Sequence, residues 1–250
     1  MKYGYYIVLN YDAFRELCRK VDPQVICDFI HLACYGNGIN CIASERSTNS
    51  VGIKTIYKIL GKDADMRLQS LTECGLIVTK GYNYQISSRY ISCRGKSAKT
   101  YRECIKVHKD YFKSLCNNLD LSQRKLVGRI FNLFFCANVR FNLVCDDIYN
   151  ININKIKNPY RRKEIIELAG FCKGHDSLYN KKLTDLQFTH RGFQFRVILH
   201  GIREPDFCGG YFINPLLFYR GKDIDAALDI KVKTKSGKRI GYAILDDEED

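Results

Sequence analysis

Side chains that can bind phosphates or base edges recur in two segments of the sequence. The apolar residues expected on one helical face of segment 64–75 are Met66, Leu68, Leu71 and Cys74. The opposite face should then point outward. The outward residues predicted in this way are Lys62, Arg67, Gln69 and Ser70 in the first segment, and Asn180, Lys181, Lys182, Thr184 and Gln187 in the second. Arginine suits the guanine edge, asparagine and glutamine suit adenine, and lysine is a mobile phosphate contact. The alternative is a merely solvated surface.

Three more positive charges, Arg161, Arg162 and Lys163, stand at a predicted helix start. There they oppose the helix dipole, whose positive end lies at the N-terminus. A position that costs intrinsic stability invites a functional explanation, and a phosphate contact supplies one.

A long basic hairpin is predicted after the second segment. Arg191, Arg196 and Arg203 with interleaved Phe193 and Phe195 would suit contact with a nucleic-acid backbone. Alternatively, these are strand residues whose aromatic face packs on the helices, and that interpretation is favoured for the two phenylalanines.

The elements that must position these residues follow the order of a winged helix. Residues 53–61 and 64–75 each predict a helix ended by glycine, and 76–80 and 82–86 bracket Gly81 as two strands. In a winged helix the second helix of the turn lies in the major groove, and the hairpin that follows reaches the backbone or the minor groove.

An internal repeat predicts a second module of the same kind. The matching pairs are 14–22 with 112–120, 54–61 with 163–170, 71–77 with 183–189, and 84–86 followed by 94–96 with 211–213 followed by 220–222. Each match alone is weak, and a helical chain rich in Leu, Lys and Cys also aligns with itself easily, but the shared order favours duplication. The predicted fold is α+β, with winged-helix modules at 1–98 and 99–225 and a basic strand or arm with an acidic tail at 226–250.

The phrase from Gly209 to Gly221 resembles winged-helix replication initiators of bacterial plasmids and phages. In them a hairpin strand ending in Tyr-x-Ile-Asn-Pro leads into a short segment with an aromatic residue and a glycine, as at 211–221 here. Some of these initiators carry two winged helices in tandem. The resemblance implies origin binding, with transcriptional control as a related activity. In the first module Ser87 and Ser88 replace the Asn-Pro pair, so the motif is degraded there.

The charge balance favours a polyanionic partner. The net charge is +13 over 250 residues, and the terminal acidic run 246–250 lowers a still more basic body. Nucleic acid is the commonest partner of such a field, although an acidic protein or a membrane surface could also serve. The acidic run is either a solubilising terminus or a tail that competes weakly for the basic surface.

Other functional classes lack their signatures. The twelve cysteines include no Cys-x-x-Cys pair, and no run approaches the roughly 20 apolar residues of a membrane span. His31, Cys34 and Cys41 do not follow the zinc-deaminase pattern. Asp146 and Asp147 could suggest a nuclease, but adjacent carboxylates point in different directions. No phosphate-binding loop, metalloprotease or nucleophile-elbow motif occurs. A cytoplasmic protein with reduced thiols, no enzymatic activity, no metal and no cofactor is expected.

The sequence therefore predicts a sequence-specific double-stranded DNA-binding protein, either a replication initiator or a transcription regulator of a plasmid or phage. A winged-helix protein that contacts other proteins or has a structural role in a phage is the alternative. A nuclease is less favoured. The expected partners are double-stranded DNA, a second copy of the chain, and the replication or transcription machinery, with no membrane. The second module, which keeps Asn-Pro, should make most of the DNA contact.

Overall fold

The computed structural model describes residues 6–37, 40–42, 52–80, 83–92, 104–117, 119–172, 174–204, 207, 209–221 and 224–244. The chain is mixed α+β and divides into two units, Met1–Gly128 and Arg129–Asp250. The predicted ending Arg94-Gly95-Lys96, the acidic run and the predicted module boundary at 98/99 lie outside the described residues.

Unit 1 contains a sheet, a hairpin and a set of helices. Its elements are β1 (Tyr6–Asn10), α1 (Tyr11–Lys20), α2 (Pro23–Ala33), α3 (Ile53–Leu60), α4 (Ala64–Glu73), β2 (Ile77–Lys80), β3 (Asn83–Ile86), β4 (Ile91–Ser92), β5 (Cys104–His108), α5 (Lys109–Cys116) and α6 (Leu121–Phe134), whose span includes the boundary between the units. Strand β1 pairs antiparallel with both β4 and β5, and β2 pairs antiparallel with β3. The helices predicted at 53–61 and 64–75 and the hairpin after them are confirmed.

Helix α2 lies at the centre of unit 1. Asp22 caps it by accepting the Gln24 N–H at 2.8 Å, and Pro23 occupies the first turn, where no N–H donor is needed. Every residue from Ile26 to Ala33 is buried, on all sides of the helix, because α3, α4 and α5 pack around it. The buried set includes Asp28 and His31, which therefore need partners inside the unit.

Unit 2 consists of short helices and several small antiparallel sheets. Its elements are a 3-10 helix (Ile153–Lys155), α7 (Arg162–Leu168), α8 (Asp176–Thr184), β6 (Gln187–His190), β7 (Phe193–Arg196), β8 (Ile198–Gly201), β9 (Gly210–Ile213), β10 (Phe218–Tyr219), α9 (Asp225–Leu228), β11 (Val232–Lys233), β12 (Arg239–Ile240) and β13 (Ala243–Ile244). Strand β6 pairs with β7, β8 with β9, β11 with β12, and β13 with the other edge of β7.

The prediction of a single long basic hairpin is wrong. It is two hairpins, β6–β7 and β8–β9, joined at Val197, whose N–H donates to the Leu186 carbonyl at 2.9 Å. Val197 is fully buried, and it separates the end of β7 at Arg196 from the start of β8 at Ile198. The segment after α9 also folds onto the unit, since β11 lies so close to β8 that a Cβ at Gly201 would meet the Val232 Cβ at 2.5 Å.

An asparagine with a left-handed backbone joins three segments of unit 1. Asn40 has φ 59°, a region that asparagine tolerates better than most residues. Its amide nitrogen donates to the carbonyls of Ile91 at 2.9 Å and Ile86 at 3.5 Å, and its own carbonyl accepts the Ile86 N–H at 2.8 Å. The next residue, Cys41, bridges to Gln85 of β3. The hairpin is thus held at its second strand.

Unit 2 contains the same arrangement. Asn142 has φ 54°, donates to the carbonyls of Phe218 at 2.6 Å and Ile213 at 3.2 Å, and accepts the Ile213 N–H at 3.1 Å. The next residue, Leu143, bridges to Phe212 of β9. Gln85 and Phe212 are the middle residues of the two matching phrases at 84–86 and 211–213. The two units thus share one contact pattern at strands that the sequence repeat also matches.

Two substitutions of Asn142 should separate hydrogen bonding from backbone strain. Asn142→Gly keeps the positive φ but removes the side-chain donor from the buried carbonyls of Phe218 and Ile213, of which Ile213 still accepts the Tyr242 hydroxyl hydrogen, so we expect the free energy of unfolding to fall by about 1–3 kcal/mol. Asn142→Ala should cost about 1 kcal/mol more, because alanine disfavours the left-handed region. Urea denaturation measures both. Equal stability of the two variants would show that backbone strain does not contribute.

Candidate nucleic-acid interface

Helix α8 presents two lysines to solvent. Leu183 is the residue of α8 that is fully buried, and the helix packs against α7 and β8. Lys181 and Lys182 precede Leu183 and are both exposed, as predicted. Gln187 is exposed at the start of β6, whereas Thr184 is half-buried and its hydroxyl donates to the Asn180 carbonyl at 3.0 Å. The lysine pair is placed to reach phosphate groups.

Asn180 is held against the β8–β9 hairpin rather than pointing freely outward. It is half-buried, and its side-chain oxygen accepts the hydroxyl hydrogen of Tyr211. The Tyr211 ring in turn stacks on His200, with 4.2 Å between ring centroids. Bidentate recognition of adenine needs both the oxygen and the nitrogen of the amide. In this arrangement Asn180 positions the helix on the hairpin and its oxygen is already engaged, which disfavours the prediction that it reads adenine.

Two basic side chains from outside the β8–β9 hairpin affect the pKa values of its side chains. The pKa of His200 is lowered by burial and by the positive charges of Lys235 and Arg162, so the ring is neutral at pH 7. Burial raises the pKa of Tyr211 to about 12, while Arg162 acts in the opposite direction. Lys235 lies between β11 and β12 and was not predicted as a site residue. Its signal in the sequence is a turn-forming Ser-Gly pair flanked by lysines at 235 and 238.

The start of α7 carries the predicted positive cluster. Arg161, Arg162 and Lys163 are all exposed, and α7 begins at Arg162. The Arg161 N–H donates to Glu164 Oε2 at 2.7 Å, which satisfies one of the unpaired donors of the first turn. Glu164 therefore offsets part of the unfavourable charge on the helix dipole, and the three basic side chains remain exposed to solvent.

The three arginines of the predicted hairpin have different roles. Arg191 is exposed in the β6–β7 turn, and Arg203 is exposed after β8. Arg196 is half-buried, and its guanidinium donates to the carbonyls of Gly241 at 3.0 Å and Ala243 at 3.2 Å. The interpretation of Arg196 as a residue that binds the nucleic-acid backbone is therefore wrong. Its guanidinium donates instead to the protein chain around β13, which lies beside β7.

The two phenylalanines of this region also differ. Phe195 is half-buried and stacks on Phe188 of the neighbouring strand with a centroid distance of 5.3 Å, so its packing on the helices stays a prediction. Phe193 is 68% exposed, so the same prediction is wrong for it. Strand periodicity tells on which face a side chain lies but not whether that face is covered.

Arg67 in unit 1 is a structural residue, contrary to prediction. It is 5% exposed, its Nε donates to Asp28 Oδ2 at 2.8 Å, and its other nitrogens bond to Asp28 and to the Leu60 carbonyl. The buried side of α4 consists of Ala64, Arg67 and Leu71, which leaves Met66 63% exposed. The helix is rotated from the predicted orientation because Arg67 pairs with the buried carboxylate of α2.

The remaining predicted residues of unit 1 lie on a surface that suits phosphate poorly. Lys62 is exposed, but Gln69 donates to Glu73 at 2.7 Å and the Ser70 hydroxyl donates to the Met66 carbonyl at 2.9 Å. The exposed charged residues of α4 are Asp65 and Glu73. With Arg67 buried, the exposed face of α4 is acidic, whereas that of α8 carries two lysines.

The Tyr-x-Ile-Asn-Pro motif is buried. Tyr211, Ile213 and Asn214 are each at most 1% exposed. The amide nitrogen of Asn214 donates to the Arg196 carbonyl at 2.7 Å, and its side-chain oxygen accepts the Leu216 N–H at 2.9 Å. The motif thus locks the turn after β9 and has a structural role.

The two aspartates that could suggest a nuclease already accept hydrogen bonds from neighbouring side chains. Asp146 accepts the Tyr160 hydroxyl hydrogen, and Asp147 accepts from the Asn150 amide at 2.8 Å. Within the described ranges, no three His, Cys, Asp or Glu side chains lie close enough together to hold a metal ion, and no helix is long and apolar enough to cross a membrane.

Comparisons with protein-family models, curated proteins and solved structures gave no match.

Proposed function

We propose that this chain is a sequence-specific double-stranded DNA-binding protein built from two winged-helix modules, and that unit 2 makes the main contact. The order α2, α3, α4 and β2–β3 recurs as α6, α7, α8 and β8–β9, with the β6–β7 hairpin between α8 and β8. In this class, the helix in the place of α8 enters the major groove and the hairpin lies beside it. The matching contacts of Asn40 and Asn142 support the two modules.

The exposed lysine pair of α8 is the observation that carries the proposal. Lys181 and Lys182 lie on the helix that packs against β8, and Arg162 and Lys235 direct positive charge at the same hairpin. Positive charge from α7 and the β11–β12 loop thus acts on the hairpin against which the lysine-bearing helix α8 packs. Lysine and arginine that neutralise phosphates supply most non-specific affinity for DNA. The role as a cytoplasmic replication initiator or transcription regulator rests on the resemblance over 211–221.

A salt titration tests this proposal. The full chain is titrated by fluorescence anisotropy against duplexes from the DNA upstream of its own gene and against shuffled duplexes of equal composition, from 50 to 300 mM NaCl. We expect log affinity to fall linearly with log salt, by about 0.9 per phosphate neutralised, and at least one upstream duplex to bind about tenfold or more tightly than its shuffled control. Absence of binding at 50 mM, or affinity independent of salt, would contradict the proposal.

The same duplexes test for nuclease activity. Incubation with MgCl₂ should leave them intact on a denaturing gel, because Asp146 and Asp147 already accept hydrogen bonds from their own neighbours. Cleavage that requires Mg²⁺ would restore the nuclease interpretation.

Helix α4 favours a second function, protein contact, for unit 1. Met66 is 63% exposed, and the exposed charges of the same helix are the carboxylates of Asp65 and Glu73, a combination that suits phosphate poorly. We propose a second copy of the chain as the partner. Sedimentation of the wild type should show a dimer, and Met66→Asp should shift it toward monomer. A monomeric wild type at high micromolar concentration would contradict this role.

A further inference from the structure

The β6–β7 hairpin carries an aromatic face that runs from its base to its tip. Phe188 is opposite Phe195, and His190 is opposite Phe193. Side chains two residues apart on a strand share a face, so these four rings lie on the same side of the hairpin. The opposite face carries polar residues, namely Gln187, Thr189, Gln194 and Arg196.

Burial of this aromatic face decreases toward the tip. Phe188 is 5% exposed at the base and stacks on Phe195, whereas Phe193 at the tip is 68% exposed. The base is held on its other edge, where β13 pairs with β7 through Ala243 and Ile244. The exposed Phe193 thus belongs to a strand that is paired on both edges, with β6 and with β13.

The turn of the hairpin is short and carries a positive charge. Arg191 and Gly192 have φ of 53° and 84°, as expected for the two central residues of a type I′ turn, which matches the twist of the strands. Residues 187–196 include no aspartate or glutamate. The tip therefore presents an aromatic ring and an exposed guanidinium within three residues of each other.

No such hairpin lies between α4 and β2 of unit 1, where every residue is described. There, α4 ends at Glu73 and β2 begins at Ile77, whereas in unit 2 α8 ends at Thr184 and β8 begins only at Ile198. The β6–β7 hairpin is inserted between the candidate groove-binding helix and the hairpin that follows it in winged-helix order.

We infer that the β6–β7 hairpin inserts its tip into the minor groove of the duplex bound by unit 2, where Phe193 wedges between base pairs and bends the DNA and Arg191 contacts the groove. Apolar wedges flanked by cations unstack base steps and kink duplexes in this way. The inference rests on the proposed function, since it requires that unit 2 binds DNA.

The test compares Phe193→Ala with Phe193→Leu in the full chain. The probe is the tightest-binding upstream duplex, with 2-aminopurine at successive positions to report unstacking and a fluorophore pair at its ends to report bending. Wild type and Phe193→Leu should raise 2-aminopurine fluorescence at one step and increase energy transfer. Phe193→Ala should lose both signals while its affinity falls about tenfold or less. Val78→Ala removes part of a 46% exposed side chain from the β2–β3 hairpin and should behave as wild type.

The outcomes separate this inference from the proposed function. A wild-type chain that binds no duplex overturns the proposed function and, with it, the wedge. A wild-type chain that binds with unchanged 2-aminopurine and energy-transfer signals, or a Phe193→Ala variant that bends DNA as the wild type does, overturns the wedge alone. A dimer that Phe193→Ala dissociates in the absence of DNA would assign the tip to protein contact instead. Because Phe193 is exposed, the variants should keep the wild-type circular dichroism spectrum and melting temperature.

Discussion

Replacing Arg67 by alanine is expected to lower the free energy of unfolding by about 3–5 kcal/mol, the usual cost of removing one partner from a buried ion pair. Asp28 is 1% exposed, and Arg124 alone would remain beside it, with 3.3 Å between Arg124 Nη1 and Asp28 Oδ1. The Leu60 carbonyl would also lose a donor. Urea denaturation followed by circular dichroism gives the difference.

Two controls make this result specific. Gln69→Ala, on the exposed side of the same helix, should change stability by less than about 0.5 kcal/mol. Arg67→Lys, which keeps a positive charge beside Asp28, should be more stable than Arg67→Ala, whereas removal of Asp28 would leave the buried Arg124 without its carboxylate. If Arg67→Ala were as stable as the wild type but bound DNA more weakly, Arg67 would be a DNA contact after all.

Replacing Lys181 and Lys182 together by alanine is expected to produce the largest loss of DNA affinity. Two phosphate contacts contribute about 1.8 to the slope of log affinity against log salt, which corresponds to about 60-fold in affinity at 0.1 M salt relative to 1 M. The loss should be similar on preferred and shuffled duplexes, because phosphate contacts carry no sequence information. Anisotropy titrations at several salt concentrations measure both the affinity and the slope.

The matched control is another exposed lysine pair, Lys54 and Lys58 on α3. Their replacement by alanine removes the same charge from unit 1, where the exposed face of α4 is acidic. We expect a loss of less than about threefold and a nearly unchanged slope. Equal losses from the two pairs would place the DNA contact on both units and contradict the assignment to unit 2.

Local patterns predicted the elements well, and the reason is visible at their ends. Gly61 and Gly75 both have positive φ just after α3 and α4, a conformation that glycine adopts at no steric cost. Asp22 and Pro23 begin α2 for equally local reasons. These signals act over a few residues, so a single sequence is enough to detect them.

Tertiary pairing could not be predicted in the same way. The orientation of α4 depends on Asp28 and Arg124, which are far from Arg67 in sequence and meet it only in the folded unit. A stripe drawn from apolar residues alone placed Met66 inside and Arg67 outside. Two other hydrogen bonds are missed for the same reason: the one from the Tyr211 hydroxyl to Asn180, and the one from the Arg196 guanidinium to the Gly241 carbonyl. In each case the partner of a polar residue comes from a distant part of the chain.

The paired asparagines at 40 and 142 have a consequence for how the two halves have diverged. Both have kept the left-handed residue and its bonds to the following strands, while Ser87-Ser88 in one half stands where the other has Asn214-Pro215. Under the proposed duplication, the left-handed asparagine and its bonds are retained independently of the residues that form the turn after the bonded strand. A reconstructed ancestor of the two halves should accordingly retain this asparagine, whichever of the two turn sequences it carried.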